Sequence, residues 1–180
     1  MLAGTVLLGI VLDAPGVTFP LRWRWSNPRP HGGNIVDMTV RVSLTNTLAI
    51  QVADRGQIFS SADLTLWVPE ESGTSNDLQA VTFLSHSSNR ILVSGESGTV
   101  LYADWPGPYR PGTLLDGPTG DWLVAIAVSE NPQLRLAVAV GDNGAVYTST
   151  NGIHWKRQSS GTSLWLLGVA WGTNGFSSPP

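Results

Sequence analysis

The chain is written in short apolar runs separated by polar loops, among them LQAVTFL, RILVSGE, TVLYA, WLVAIAV, RLAVAVGD and AVYTS. Gly, Asn, Asp, Ser or Pro bounds each run, which predicts half-buried β-strands joined by tight turns. No stretch keeps apolar residues at i, i+3, i+4 and i+7 between capping residues, so helical layers are not expected. The pattern predicts a nearly all-β chain.

The runs recur. Residues 53–83, ADRGQIFSSADLTLWVPEESGTSNDLQAVTF, lie without a gap over residues 141–171, GDNGAVYTSTNGIHWKRQSSGTSLWLLGVAW, with about a third of the positions identical. Shared residues include Asp54 with Asp142, Gly56 with Gly144, Ser61 with Ser149, Trp67 with Trp155, and the Ser-Gly-Thr-Ser run at 72–75 and 160–163. A third copy, VSGESGTVLYADW at 93–105, lies between them, so the offset of 88 residues divides into two periods of about 44. Four short strands per period describe a four-stranded meander, the unit of a propeller blade, in which each sheet packs on the next.

Within each copy the third strand runs into a polar turn followed by a Trp. In STNGIHW, Asn151 and Gly152 suit a tight hairpin because both tolerate positive φ. Ser149 and Asn151 can bond backbone N–H groups inside that turn, and Trp155 returns as a large apolar body for packing between sheets. The earlier copy keeps Ser61, Asp63 and Trp67 but has Leu64 where Gly152 stands, which predicts a less relaxed turn. The middle copy retains only Asp104 and Trp105 and adds Pro106, Pro108 and Pro111.

Ser-x-Asp/Asn-Gly-x-x-Trp resembles the Asp-box, or bacterial neuraminidase repeat. GDNGAVYTSTNGIHW followed by SGTSLWLLGVAWG is similar to propellers related to the photosystem II stability and assembly factor, as is the opening WRWSNPRPHGGNIVDMTV. The resemblance implies a β-propeller in which Ser61, Asp63, Trp67, Ser149, Asn151, Gly152 and Trp155 shape turns and take no part in catalysis. It specifies fold more than function.

Charge narrows the list of partners. Ten Lys and Arg against 13 Asp and Glu give a net charge of -3, with no basic footprint for nucleic acid. The absence of Cys removes thiolate metal sites, Cys nucleophiles and disulfides, and leaves the compartment open. The opening MLAGTVLLGIVL is too short to span a bilayer. It has the length of a signal-peptide apolar region but lacks a preceding Lys or Arg and a clear cleavage site, so a strand or an upstream remnant is the favoured reading and export the alternative.

Other polar groups have ordinary readings. His31, His86 and His154 fall in loops or near turns without metal-ligand spacing, and Glu70 with Glu71 reads as a solvated strand end. GESG and GDNG precede no helix and carry no Lys, so they read as hairpin turns and not phosphate loops. Sialidase chemistry would need an arginine cluster, a Tyr nucleophile with an acidic partner, and an acid/base carboxylate. The arginines are scattered, and PYRPG around Arg110 is a distant echo of that family's Phe-Arg-Ile-Pro motif. No catalytic, cofactor-binding or metal-binding residue is assigned. Trp105, Trp122, Trp165 and Trp171 lie outside the turn cassette, where packing is favoured over a role as contact anchors.

These readings give residues 1–20 as an apolar leader or upstream remnant, and 21–180 as an incomplete propeller. Repeats are placed near 35–77, 78–121 and 122–164, with a further blade starting at 165–180. Trp25 is assigned to the outer strand of a preceding blade. About three repeats cannot close a ring of four to eight blades, so the expectation is a fragment of a larger propeller, with a half-ring completed by a second copy as the alternative. The expected function is a non-enzymatic scaffold for a protein partner; a remnant of an Asp-box glycosidase is the alternative. The strand LLGVAWG at 166–172 is expected to expose an unpaired edge and drive self-association.

Overall fold

A computed structural model describes residues 33–43, 46–84, 89–117, 120–131 and 133–172. These belong to a unit spanning Gly33–Pro180. The readings made for the leader, Trp23, Trp25, His31, His86 and residues 173–180 lie outside the described residues.

Among the described residues these runs form three mainly antiparallel sheets in chain order. The first comprises β1 (Ile35–Val42), β2 (Thr47–Ala53), β3 (Ile58–Ser61) and β4 (Val68–Glu70). The second comprises β5 (Leu78–Phe83), β6 (Arg90–Gly95), β7 (Val100–Asp104) and β8 (Arg110–Pro111). The third comprises β10 (Leu123–Val128), β11 (Ala137–Gly141), β12 (Val146–Ser149) and β13 (His154–Arg157), joined by the short strand β9 (Thr113–Leu115). The chain is an all-β, partial β-propeller with four-stranded antiparallel blades.

The repeat is visible in the backbone. The second and third strands of each sheet are joined by Asp54-Arg55-Gly56, Glu96-Ser97-Gly98 or Asp142-Asn143-Gly144. In each turn the two residues after the acid have positive φ: 53° and 69°, 54° and 67°, 51° and 62°. Two successive positive φ angles match the right-handed twist of a tight hairpin, which favours Gly second and strains Arg55 and Ser97 mildly. Each first strand also carries a bulge at the same point, Val36, Gln79 or Val124, where two residues oppose one.

The Ser-Gly-Thr-Ser run at 72–75 connects the first sheet to the second, and the run at 160–163 follows the last strand of the third. Thr74 N–H donates to Ser72 Oγ (3.3 Å) and Asn76 N–H to Thr74 Oγ1 (3.1 Å); Thr162 and Leu164 repeat this with Ser160 and Thr162 at 3.4 and 3.1 Å. Each connection presses on the preceding hairpin: a Cβ on Gly56 or Gly144 would collide with the carbonyl of Thr74 or Thr162.

Two apolar layers hold the sheets together. Ile50, Val52 and Ile58 of the first sheet pack with Leu78, Val81, Ile91, Val93, Leu101 and Tyr109 of the second. Leu84, Leu92 and Val100, from the opposite face of the second, pack with Leu123, Ala137, Ala139, Tyr147 and Trp155 of the third. Alternation along each strand therefore serves both faces of the middle sheet.

Two features differ from the sequence expectation. Residues 113–115 pair with the third sheet, not the second: β9 runs parallel to β13, with Trp155 opposite Leu114. Pro111 and Gly112 end β8 early, because Pro has no N–H for the ladder, and the freed chain crosses to the edge of the next sheet. The segment 166–172, expected as a strand, belongs to no sheet among the described residues.

Candidate functional site

Ser61 and Asp63 shape one turn and Ser149 with Asn151 another, through the same hydrogen bonds. Ser61 Oγ accepts from the N–H of Asp63 (3.3 Å) and Leu64 (2.9 Å), and Asp63 Oδ1 accepts from Thr65 and Leu66 (2.8 Å each). Ser149 Oγ accepts from Asn151 (3.3 Å) and Gly152 (2.8 Å), and Asn151 Oδ1 from Ile153 (2.8 Å) and His154 (3.0 Å). The N–H groups of Leu66 and Thr65 hold the Asp63 carboxyl well below the usual carboxylate range. Leu64 has φ 63°, where the second turn has Gly152 at 72°. The poorer fit of Leu64 is therefore backbone strain.

The aromatic residues that follow these turns have different surroundings. Trp155 is 1% exposed against the second sheet and donates through Nε1 to the Gly152 carbonyl at 3.2 Å. Trp67, at the same place in the first sheet, is half-buried and belongs to neither apolar layer. In the middle copy the equivalent residue is Tyr109, not Trp105. By strand register Tyr109 stands before Arg110–Pro111 as Trp155 stands before Lys156–Arg157. Tyr109 is buried between the first and second sheets with no partner for its hydroxyl, and burial, with a smaller contribution from Glu70, pushes that hydroxyl above its usual pKa. The signal in the sequence is a constant spacing: Trp67, Tyr109 and Trp155 each lie 14 residues after the end of their second strand, at Ala53, Gly95 and Gly141.

One polar trio resembles reactive chemistry. Tyr147 donates to Asp121 Oδ2 at 2.9 Å, and Arg157 Nη1 bonds both Asp121 Oδ2 and Tyr147 Oη, the latter at 3.3 Å. Tyr147 is fully buried and Asp121 is 2% exposed, while the Arg157 side chain keeps 23% of its surface in solvent, so the phenol and the carboxylate are buried in the third sheet and the guanidinium lies at its margin. Burial and the Asp121 carboxylate raise the Tyr147 pKa, which opposes formation of a phenolate nucleophile. Asp121 escaped notice in the sequence because nothing in GDW marks it as buried.

The two clefts between sheets also differ. In the second, Arg90 lies 5.4 Å over the Tyr102 ring, forms a two-pronged pair with Asp104 (2.8 Å on each arm) and reaches the Asn151 carbonyl at 2.7 Å. Leu48 and Ser60 stand at the equivalent positions of the first sheet. Neither fills the space, leaving a cavity of about 640 Å³ bordered by Arg41, Leu48, Ser60, Asp63, Asn89 and Trp105.

The remaining sites named from sequence stay dispersed. Arg110 is exposed on β8, while Glu70 is half-buried and accepts from Ser60 Oγ at 2.6 Å. His154 is exposed beside its turn. GESG and GDNG form the hairpins described above. Among the described residues no group of three or more His, Asp or Glu is placed to hold a metal ion, and no helix is long and apolar enough to cross a membrane. Trp105, Trp122 and Trp171 are half-buried and Trp165 is 53% exposed, its ring 5.9 Å from that of Trp122.

Large apolar side chains are exposed on β1 and in the segment that follows β13. Ile35, Met38 and Val40 of β1 are 49%, 48% and 40% exposed, whereas Leu78 and Val81, at the places of Ile35 and Met38 in β5, are 0% and 5% exposed. At the other end Leu164 and Leu167 are 72% and 75% exposed.

No family model matches the chain, and no curated protein matches it. Solved structures do. YCF48 from Cyanidioschyzon merolae matches at 22% identity and a TM-score of 0.51, over 72% of this chain and 38% of that one. An ancestral GH74 enzyme matches at 18% identity and a TM-score of 0.56, over 73% of this chain and 21% of that one. A chain of the COPII outer coat vertex on membranes matches at 15% identity and a TM-score of 0.56, over 78% of this chain and 41% of that one. This chain thus spans well under half the length of each. At these identities the likeness establishes the shared β-propeller fold.

Proposed function

We propose that the chain is a non-catalytic β-propeller scaffold that binds a protein partner, that it resembles photosystem II assembly factor-like proteins, and that it is part of a larger propeller. The observation that supports this reading most is the burial of Asp121 and Tyr147. This carboxylate and phenol, the pair closest to glycosidase chemistry, bond each other inside a sheet, with the partly exposed Arg157 at its margin. Large apolar side chains are exposed on β1 and after β13, as suits contact with another polypeptide.

The likeness to a GH74 enzyme favours one second reading, the remnant of an Asp-box glycosidase. Incubation of the purified chain with fluorogenic sialosides and common glycosides separates the two. The scaffold reading expects no release above that of a heat-denatured control. Turnover that co-purifies with the chain and disappears in Arg110→Ala would reverse the ranking.

A further inference from the structure

The cavity of about 640 Å³ between the first and second sheets has Arg41, Leu48, Ser60 and Ala62 on its first-sheet wall. The cleft between the second and third sheets shows what the chain itself puts in such a space. There the Arg90 guanidinium is held by the Asp104 carboxylate and covered by the Tyr102 ring. Leu48, Ser60 and Ala62 stand where the second sheet has Arg90, Tyr102 and Asp104. The first sheet therefore lacks the ring and the carboxylate together.

Its guanidinium is not lost but moved to the neighbouring strand. Arg41 of β1 lies directly opposite Leu48, whereas the second sheet has Leu84 beside Arg90. Leu84 is 2% exposed, in the apolar layer against the third sheet. Arg41 is half-buried, borders the cavity and stands 4.2 Å over the Phe83 ring of β5. Burial lowers its pKa, whereas the Asp104 carboxylate raises that of Arg90. A guanidinium carries five N–H donors, so one edge of Arg41 can take a carboxylate while its other contacts persist.

The rest of the cavity suits an apolar body. Leu48, Leu66, Val68 and Trp105 border it, and its volume falls within the range of small-molecule sites, about 300–1,000 Å³. Asp63 also borders it and stays ionised, which repels a second carboxylate from that side and directs an acid to Arg41.

From this exchange we infer that the cavity binds a small organic monocarboxylate carrying one ring. The carboxylate sits on Arg41 and supplies what Asp104 supplies to Arg90; the ring lies over Leu48 in the space that Ser60 leaves and Tyr102 fills in the second sheet. The event is recognition without chemistry, and it does not depend on the scaffold reading.

The probes are phenylacetate and its uncharged amide, phenylacetamide, titrated into the isotope-labelled 180-residue chain and followed by NMR. Phenylacetate should bind saturably and shift the N–H signals of Leu48, Ser60, Ala62 and the Trp105 indole. Phenylacetamide should bind at least about tenfold more weakly, through loss of the charge-assisted pair. Arg41→Gln should bring the acid down to the affinity of the amide. Ser60→Tyr, which gives the first sheet the ring of the second, should abolish binding of both while the far-ultraviolet circular dichroism stays that of the parent. No saturable shift, equal affinity for acid and amide in the parent, or shifts confined to the exposed Ile35, Met38 and Val40 of β1 would overturn the inference. So would an acid preference that survives Arg41→Gln. The comparison of acid with amide needs no variant, so it decides the matter whether or not each variant folds. The glycoside assay is independent of these results, and the scaffold reading stands or falls separately.

Discussion

Tyr109 and Trp155 occupy the same register position in consecutive sheets, and each buries its ring against the sheet before its own. Trp67 holds that position in the first sheet and is half-buried. Trp155→Ala should therefore cost about 3–5 kcal/mol, the range for deleting a buried large aromatic, and Trp67→Ala about 1 kcal/mol. Tyr109→Phe should stay within about 1 kcal/mol of the parent or stabilise, because its hydroxyl has no partner. Urea unfolding followed by far-ultraviolet circular dichroism measures all three; equal losses for Trp67 and Trp155 would contradict the assignment.

Asp121→Ala strips the buried carboxylate from Arg157 and Tyr147. A loss of about 3 kcal/mol is expected, as for breaking a buried ion pair on one side. Tyr147→Phe removes one hydrogen bond and should cost only about 1 kcal/mol. A near-neutral Asp121→Ala in the same unfolding assay would mean that the trio is not structural.

Replacing Asp63 by Asn tests the first turn by way of the second, where Asn151 already makes the same bonds. The folded Asp63 pKa lies below its unfolded value. Its contribution to stability is thus full above the unfolded pKa and is lost as pH falls through the folded one. Asp63→Asn should leave the urea midpoint at pH 7 little changed and flatten its decline between about pH 4 and 2. An unchanged acid decline would refute the assignment.

The two turns also make opposite predictions for glycine. Leu64→Gly relieves positive φ at an exposed position and should stabilise by about 0.5–1 kcal/mol. Gly152→Ala drives a Cβ into Leu92 at φ 72° and should destabilise by more than about 1 kcal/mol. Thermal melts of the two single variants decide it, and the same sign for both would count against the turn geometry.

Arg90 and Leu48 offer a last test, since they explain why one cleft is closed and the other open. Arg90→Leu should open the second cleft and cost about 2 kcal/mol through the loss of Asp104, Asn151 and Tyr102 contacts. Unchanged stability of this variant would show that Arg90 does not close the cleft.

The sequence by itself determined the three four-stranded repeats and their order, though not the fate of 166–172, which reads as a strand and joins no sheet among the described residues. Short apolar runs bounded by turn residues mark strands, and the Asp-Asn-Gly and Ser-Thr-Asn-Gly turns announce themselves through residues that tolerate positive φ. It also determined which residues build the turns, since a side chain that bonds N–H groups two or three residues on needs nothing distant. The tertiary structure decided the rest. Tyr109 reads as an ordinary residue in a Pro-rich loop until register sets it beside Trp155. Residues 113–115 read as the tail of one copy until the parallel pairing with β13 claims them for the next. Asp121 becomes a buried acid only when β12 and β13 bring Tyr147 and Arg157 to it, from 26 and 36 positions along the chain. The physical reason is the same in each case: local backbone preference selects strands and turns over a few residues, whereas burial and register depend on which sheet face meets which, a relation between residues far apart in the chain.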